Sequence, residues 1–359
     1  MNDKIRRTAA TNDSNLNQDF FQPATPRERD MTAWLLRELG STAGSLSIAP
    51  ASADASFRRY FRISGLPDGG TRIVMDAPPS QEDCRPFVRI AGLLADAGLN
   101  APRIFAQDLE HGFLLLSDLG TQTFLDVLTE DNADDLFAAA TDTLVRWQLA
   151  SKPGVLPPYD EAVLLREMSL FADWYVARHL NKELDAAQRE TLDRVFARIA
   201  ASALKQPTVY VHCDYMPRNL MVSQPDPGVL DFQDALYGPI AYDVASLFRD
   251  AFISWDEGRV LDWVIKYWER ARKTGLPVTA DFGSFYRDME WIGLQRHLRI
   301  LGVFARINYR DGKPHYLKDA PRFVNYVRKV CERYDELTPL LHLMDELHEA
   351  APSQVGYTF

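Results

Sequence analysis

One short segment of the sequence carries side chains that suit phosphoryl transfer. Between Val209 and Asp231, two apolar runs flank a loop that holds Asp214 and, five positions later, Asn219, and the second run ends at Asp231. Transfer of a phosphoryl group from ATP needs a carboxylate that orients the attacking hydroxyl and accepts its proton. It also needs oxygen ligands for Mg²⁺, which an amide and a second carboxylate supply. We therefore predict Asp214 as the catalytic base and Asn219 and Asp231 as the metal ligands.

The spacing of these residues resembles the catalytic core of the protein-kinase-like superfamily. The pattern His-x-Asp-x4-Asn starts at His212, and Asp-Phe follows at residues 231–232. Cys213 and Gln233 stand where protein kinases usually have Arg and Gly. Taken alone, an Asp in a Pro-containing loop is usually a turn or cap residue, so the joint pattern carries the prediction.

The segment after this core resembles the aminoglycoside-phosphotransferase branch, which phosphorylates small molecules. It reads Gly-Pro-x-x-x-Asp-x-Ala over residues 238–245. Asp243 then corresponds to the family's structural aspartate that braces the catalytic loop, and His212 is expected to bond backbone near Asp231. The gap from Asp231 to Asp243 is too short for a regulated activation loop, so protein substrates are not expected.

The bulk composition limits the classes of function. The chain has 359 residues, which predicts two lobes, and a net charge of −10, which disfavours nucleic-acid and anionic-membrane partners. The three cysteines are widely separated and suggest neither disulfides nor zinc, so we expect a cytoplasmic protein. We find no apolar run long enough for a transmembrane helix, and no obligate protein partner is evident.

The N-terminal third predicts a small sheet with helices. Residues 1–22 are polar and aperiodic and are expected to form a flexible tail. Thr25, Pro26 and Glu28 form a helix start with a capping box, and this helix should end at Gly40. Alternating apolar and polar residues then predict four strands, and a pattern with a period of 3.6 residues predicts one helix inserted among them. The strands are Arg59–Ser64, Thr71–Asp76, Arg103–Gln107 and Gly112–Ser117, and the helix spans Asp83–Asp96.

From residue 122 the periodicity becomes helical, with the catalytic loop embedded among the helices. Further helical patterns cover residues 260–272, 282–307 and 323–346. The kinase resemblance implies an α+β, bilobal fold with a small antiparallel-sheet N-lobe, one helix in that lobe and a larger, mainly helical C-lobe. We place the N-lobe at 23–116, the hinge at 117–121 and the C-lobe at 122–359.

The resemblance also implies where ATP binds. The polar run at residues 54–61 occupies the place of the nucleotide-covering loop, although it lacks a glycine triplet, and backbone groups of the hinge usually receive adenine. The residues expected at the nucleotide are Ser56, Phe57, Arg58, Arg59, Leu116, Asp118 and Leu119.

The strand after this loop lacks the lysine with which kinases bind the α and β phosphates. It reads Val74-Met75-Asp76 instead. Because several arginines lie between residues 58 and 72, we hypothesise that one of them replaces the lysine.

A narrower resemblance concerns the acceptor. Several stretches are similar to the bacterial anomeric amino-sugar kinases of cell-wall recycling, which act on N-acetylmuramate and N-acetylglucosamine. They are residues 54–61, 74–79, 83–87, 114–120, 231–239 and 247–250. This resemblance implies an ATP- and Mg²⁺-dependent kinase that makes the sugar 1-phosphate. The candidate acceptor residues are Glu167, Trp174, Asp234 and Arg299.

Two other interpretations remain open. The chain could be another small-molecule kinase of the same fold, acting on an aminoglycoside, choline or homoserine. It could also be a non-catalytic nucleotide-binding regulatory module, since the lysine is missing.

Overall fold

The computed structural model describes residues 25–40, 46–52, 57–225 and 227–348. The chain divides into two compact units. The first consists of Met1–Arg85 and Arg103–Asp118, and the second of Pro86–Pro102 and Leu119–Phe359.

The first unit is built on a five-stranded antiparallel sheet with the order β1-β2-β3-β5-β4. Its strands are β1 (Ser47–Ser52), β2 (Arg59–Ser64), β3 (Arg72–Asp76), β4 (Ile104–Asp108) and β5 (Phe113–Ser117). The four predicted strands are present, with ends that differ by one residue at most. Strand β1 was not predicted, because its segment Ser-Ile-Ala-Pro-Ala-Ser contains few of the β-branched and aromatic residues that are typical of strands.

Helix α1 (Pro26–Leu39) begins and ends where the sequence predicts. Thr25 accepts a hydrogen bond from the backbone of Glu28, the Glu28 side chain accepts one from Thr25, and Gly40 follows the last turn. The apolar face of α1 packs on the sheet and forms the core of this unit. That core contains Met31, Trp34, Leu35, Ile48, Phe61, Ile63, Leu66, Val74, Phe113 and Leu115.

Strand β3 ends in a fully buried carboxylate. Asp76 is 0% exposed and pairs with two arginines: Arg27 Nε lies 2.7 Å from Oδ1, and Arg59 Nη2 lies 2.5 Å from Oδ2. Arg59 also donates to Glu28 at 2.7 Å. A buried charge is tolerated only when it is paired in this way, so these contacts tie β2 and β3 to α1.

The second unit is mainly helical. Its helices, numbered along the chain, are α2 (Arg85–Asp96), α3 (Phe124–Val127), α4 (Ala133–Leu149), α5 (Glu161–Leu170), α6 (Ala186–Ala203), α7 (Tyr242–Phe248), α8 (Glu257–Thr274), α9 (Phe282–Asp311), α10 (Ala320–Arg333) and α11 (Thr338–His348). The 30-residue helix α9 is central, since it packs on α5, α6, α7, α8 and α10. Among the described residues, no helix is both long enough and apolar enough to span a membrane.

Two sequence-based expectations about this unit need revision. The pattern over residues 323–346 forms two helices, α10 and α11, because a short 3₁₀ turn at Asp335–Leu337 interrupts it. Residues Phe171–His179, which continue the apolar face of α5, form a π-helix. Its buried residues Phe171, Ala172, Tyr175 and Val176 lie at positions i, i+1, i+4 and i+5, a spacing that puts them on one side of either type of helix over so short a segment.

The segment around the predicted catalytic loop belongs to two small sheets. Strand β6 (Thr208–Val211) pairs with β9 (Leu236–Pro239), and β7 (Leu220–Met221) pairs with β8 (Gly228–Val229). The two apolar runs of the sequence therefore do not pair with each other, as a single hairpin would require. The first run, β6, pairs with β9, and the second run, which contains β8, pairs with β7. These two pairings hold both ends of the loop.

Candidate active site

A buried histidine supports the loop that carries Asp214. His212 is 1% exposed, and its Nε2 lies 3.0 Å from the carbonyl oxygen of Leu230. The backbone N–H of Asp214 donates to His212 Nδ1 at 3.3 Å. These two bonds require a neutral ring with its proton on Nε2. Burial lowers the pKa of His212 to about 4, which agrees with that neutral state.

Asp243 holds the same loop from α7. Its carboxylate accepts hydrogen bonds from the backbone N–H of His212 at 2.6 Å and of Cys213 at 3.1 Å. Burial raises the pKa of Asp243 to about 7, although the two N–H groups act in the opposite direction. Cys213 adopts φ +76°, a left-handed conformation that side-chain-bearing residues rarely take. The two bonds to Asp243 help to hold that conformation.

Asn219 and Asp231 meet beside Asp214. Asn219 Nδ2 donates to the backbone oxygen of Asp214 at 2.9 Å and lies 3.5 Å from Asp231 Oδ2. Asp231, itself at φ +59°, receives a 2.8 Å hydrogen bond on Oδ1 from Gln233 Nε2. Gln233, the residue that replaces the usual glycine, therefore positions a predicted metal ligand.

This donor set fits a magnesium ion that also carries phosphate oxygens. Because its Nδ2 is used by Asp214, the amide oxygen of Asn219 remains for an ion, and Asp231 adds a carboxylate. The described residues contain no group of three or more His, Cys, Asp and Glu side chains that could hold a metal.

The guanidinium of Arg299 lies near two carboxylates, those of Asp214 and Glu167. Arg299 Nη1 is 3.6 Å from Asp214 Oδ1, and Arg299 Nε is 3.5 Å from Glu167 Oε1. Arg299 Nη1 also donates to the hydroxyl of Tyr242 at 3.4 Å. The second unit thus brings together three predicted residues, Asp214, Glu167 and Arg299, from a loop, α5 and α9.

The charges in this cluster support one another. Burial raises the pKa of the Asp214 carboxyl, but the positive charges of Arg299 and Arg296 outweigh it, and the pKa lies below its usual range. Burial lowers the pKa of Arg299, but Tyr242, Asp214 and Glu167 outweigh it and raise that pKa. Both side chains are therefore charged at neutral pH.

The other two candidate acceptor residues are Trp174 and Asp234, and their roles stay predictions. Trp174 is half-buried in the π-helix, and among the described residues no hydrogen bond or ring contact joins it to Asp214, Glu167 or Arg299. The side chain of Asp234 is exposed, three positions after Asp231.

Of the predicted nucleotide residues at positions 56–59, those that the structure describes lie in the first unit. Ser56 lies outside the described residues, and the side chain of Phe57 is 60% exposed. Arg58 pairs with Glu82 at 2.9 Å, and Arg59 pairs with Asp76 and Glu28.

The remaining arginines of the 58–72 stretch also have carboxylate partners. Arg62 donates to both oxygens of Asp118, at 2.6 and 3.1 Å, and Arg72 pairs with Asp68 at 2.7 Å. All four arginines that were candidates to replace the lysine are therefore ion-paired. The replacement stays a hypothesis, and it now requires an arginine to exchange or share its carboxylate.

At the predicted hinge, the side chains of Leu116 and Asp118 are engaged within the first unit. Leu116 is buried within β5, and Leu119 follows at the start of the second unit's longer segment. The Asp118 carboxylate is occupied by Arg62 and by the hydroxyl of Thr71 at 2.7 Å.

Sequence reasoning missed several residues of the site. They are Tyr159, Gln233 in its role at Asp231, Tyr242 and Gln295. One usable signal was present: the polar run Gln295-Arg296-His297, followed by Arg299, interrupts an otherwise apolar stretch of α9. Charged residues inside a buried helix need partners, and so they indicate a polar site.

Comparison with known proteins shows the family and the fold of the chain. The phosphotransferase enzyme family matches residues 47–282, which is more than half of the chain, so the chain belongs to that family. A protein of Pseudomonas aeruginosa named N-acetylmuramate/N-acetylglucosamine kinase is 56% identical over 306 residues, covering 85% of this chain and 89% of that protein. A protein of the same name from Pseudomonas putida is 52% identical over 335 residues, covering 90% and 98%.

Solved structures define the fold. An ethanolamine kinase of Plasmodium vivax superposes with a TM-score of 0.62 at 12% identity, covering 88% of this chain and 91% of that chain. The prediction of an α+β protein-kinase-like fold is therefore confirmed. It combines the five-stranded antiparallel sheet of the first unit with a mainly helical second unit.

Proposed function

We propose that this chain is a cytoplasmic, ATP-dependent kinase that phosphorylates the anomeric hydroxyl of N-acetylmuramate and N-acetylglucosamine. The product would be the sugar 1-phosphate, which serves peptidoglycan recycling. The observation that carries this proposal is the 52–56% identity to two kinases named for these sugars, over 85–90% of this chain. The three cysteines are buried and free, as in proteins of a reducing compartment.

In this proposal Asp214 is the catalytic base. Its carboxylate orients the anomeric hydroxyl towards the γ-phosphorus and takes the hydroxyl proton as the new O–P bond forms and the bond to the leaving ADP oxygen breaks. A low pKa suits that role, because the proton is lost late in a loose transition state and positioning contributes most. An anomeric hydroxyl is also more acidic than an ordinary alcohol, so a weak base suffices.

Asn219 and Asp231 would hold Mg²⁺, with Gln233 orienting Asp231. When bound, the ion neutralises charge on the phosphate oxygens. Backbone groups at Leu116, Asp118 and Leu119 would receive the adenine, and residues 56–59 would cover the phosphates. His212 and Asp243 would keep the loop in place, and Glu167 and Arg299 would contact the acceptor.

The product identifies the reaction. We would incubate the protein with labelled ATP, Mg²⁺ and a panel of amino sugars, aminoglycosides, choline and homoserine. The expected product is an amino-sugar phosphate that is non-reducing and acid-labile, as an anomeric phosphate is. A phosphorylated sugar that still reduces would place the phosphate elsewhere, and a phosphorylated aminoglycoside or amino alcohol would support another kinase of this family.

A second measurement separates catalysis from nucleotide binding. Asp214→Ala should abolish turnover while sparing most ATP binding, since Asp214 contacts the acceptor and not the nucleotide. ATP binding by the unmodified protein without any phosphorylated product would favour the regulatory module instead. Turnover that persists in Asp214→Ala would reject Asp214 as the base.

A further inference from the structure

Glu167 is held more firmly than an ordinary surface carboxylate. Its side chain is 19% exposed, and it receives hydrogen bonds or ion pairs from three residues. The hydroxyl of Tyr159 and Nε2 of Gln295, the latter at 2.9 Å, both donate to Oε2, and Arg299 Nε approaches Oε1 at 3.5 Å. Among the residues that the structure describes, Oε2 therefore accepts two hydrogen bonds and Oε1 has one contact, at 3.5 Å.

The side chain of Gln295 is oriented by a hydrogen bond to Glu167. It lies on α9 one turn before Arg299 and is 0% exposed. Its Nε2 donates to Glu167, whereas its Oε1 has no hydrogen-bond donor among the described residues. A buried amide that leaves its own oxygen unpaired to serve a carboxylate indicates that the position of this carboxylate matters.

Tyr159 is fixed by its surroundings as well. Its backbone N–H donates to the oxygen of Tyr237 at 2.8 Å, and its ring lies 5.2 Å from the ring of Tyr242. Gly238 makes room for it, since a Cβ on Gly238 would lie 2.5 Å from Cβ of Tyr159. The hydroxyl of Tyr159 is thus presented to Glu167 by a rigid support.

The fixed carboxylate adjoins the reacting position. Arg299 contacts Glu167 with Nε and Asp214 with Nη1, so a single guanidinium separates Glu167 from the proposed base. An acceptor hydroxyl at Asp214 would therefore bring the substituent on the neighbouring carbon towards Glu167.

We propose that Glu167 is a specificity-determining residue that accepts a hydrogen bond from the acetamido N–H beside the anomeric carbon, with Tyr159 and Gln295 as its positioning residues. This inference rests on the proposed function. Both sugars carry the acetamido N–H at C2, but at C3 N-acetylmuramate has an ether where N-acetylglucosamine has a hydroxyl. An ionised carboxylate can only accept hydrogen bonds. A carboxylate that accepts one from the N–H at C2 can therefore bind both sugars, whereas one that required a hydroxyl at C3 would reject N-acetylmuramate.

The test combines a change in the enzyme with a change in the sugar. Glu167→Gln should lower kcat/KM for N-acetylglucosamine about tenfold or more, mainly through KM, because a charged acceptor is lost. For 2-deoxyglucose, which has no donor at C2, the same substitution should change kcat/KM less than about twofold. If 2-deoxyglucose is not turned over, its inhibition constant against N-acetylglucosamine is compared in the same way.

Two further variants complete the design. Glu161→Gln is the matched control, because Glu161 is an exposed residue at the start of the same helix α5. This substitution should leave kcat/KM unchanged for both sugars. Tyr159→Phe keeps the ring and removes one donor to Glu167, and it should lower kcat/KM for N-acetylglucosamine alone, about threefold or more. Tyr159→Phe also carries the test if Glu167→Gln does not fold, as judged by ATP binding.

The outcomes distinguish this inference from the function on which it rests. Equal losses for both sugars in Glu167→Gln and Tyr159→Phe would show a merely structural role and overturn the inference. An unmodified protein that transfers phosphate to no 2-acetamido sugar would overturn the proposed function itself. A protein that makes the 1-phosphate but shows no coupling between residue 167 and the C2 substituent overturns the inference alone.

Discussion

Arg299 Nη1 lies 3.6 Å from Asp214 Oδ1, so a cation from the middle of α9 neighbours the proposed catalytic carboxylate. The same guanidinium reaches Glu167, and without it two carboxylates would face each other in a partly buried site. The electrostatics of the proposed base therefore depend on a residue 85 positions away in the chain.

We predict that Arg299→Gln raises the pKa of Asp214. Burial favours the protonated acid, and Arg299 is the largest of the charges that oppose it. Because the base must be ionised, the acid limb of the pH profile of kcat/KM should move to higher pH. Arg299→Lys, which keeps the charge, should restore most of the original profile. An unchanged acid limb in a folded Arg299→Gln variant would contradict this role.

His212 predicts a specific dependence of stability on pH. Its pKa is about 4 when folded and 6.5 in the reference state, so the unfolded chain binds more protons between these values. The contribution of this pKa difference to the free energy of unfolding is complete above pH 6.5. It is lost as the pH falls towards 4, and the total loss is about 3 kcal/mol. In His212→Asn the free energy of unfolding should be lower at pH 7 and should fall less between pH 6.5 and 4.

Urea unfolding at several pH values measures this effect. His111→Asn is the control, since the His111 side chain is 64% exposed and lies in the first unit. If His212→Asn and the unmodified protein lose stability equally on acidification, His212 is not the neutral support that its hydrogen bonds indicate.

Two glycines in helices should respond oppositely to alanine. A Cβ on Gly302 of α9 would lie 2.3 Å from the carbonyl carbon and 2.4 Å from the carbonyl oxygen of Leu170, whereas a Cβ on Gly92 of α2 would meet nothing within 4 Å. Gly302→Ala should therefore destabilise the protein by about 2 kcal/mol or more, and Gly92→Ala should stabilise it by about 0.5–1 kcal/mol. Urea unfolding of both variants checks this, and equal effects would reject the close contact between α9 and the end of α5.

The parts of the fold that depend on neighbouring residues could be predicted from the sequence. The capping box of Thr25 and Glu28 sets the start of α1 within four residues, and Gly40 marks its end. Strand β2 alternates along Arg59–Ser64 and needs no distant partner to be recognised. The spacing from His212 to Asn219 likewise encodes a loop whose groups meet locally.

The parts that depend on distant residues could not be predicted in this way. The pairing of β6 with β9, rather than with the nearer run, is settled by tertiary packing. The contact of Gln295 with Glu167 joins residues 128 positions apart. Composition shows that such buried polar groups need partners, but it does not say which ones.

The last prediction concerns the strained residue before the proposed base. Cys213 is 6% exposed and adopts φ +76°, which costs about 1 kcal/mol for a residue with a Cβ and little for glycine. Cys213→Ala removes the sulfur and keeps the strain, while Cys213→Gly removes both.

We therefore expect Cys213→Gly to be more stable than Cys213→Ala by about 1 kcal/mol, although glycine normally destabilises relative to alanine. Urea unfolding of the two variants measures the difference directly, and the loss of the buried sulfur is common to both. Kinase activity should survive in the glycine variant, because the backbone N–H at position 213 still donates to Asp243. An alanine variant at least as stable as the glycine variant would show that the left-handed conformation at this position carries no strain.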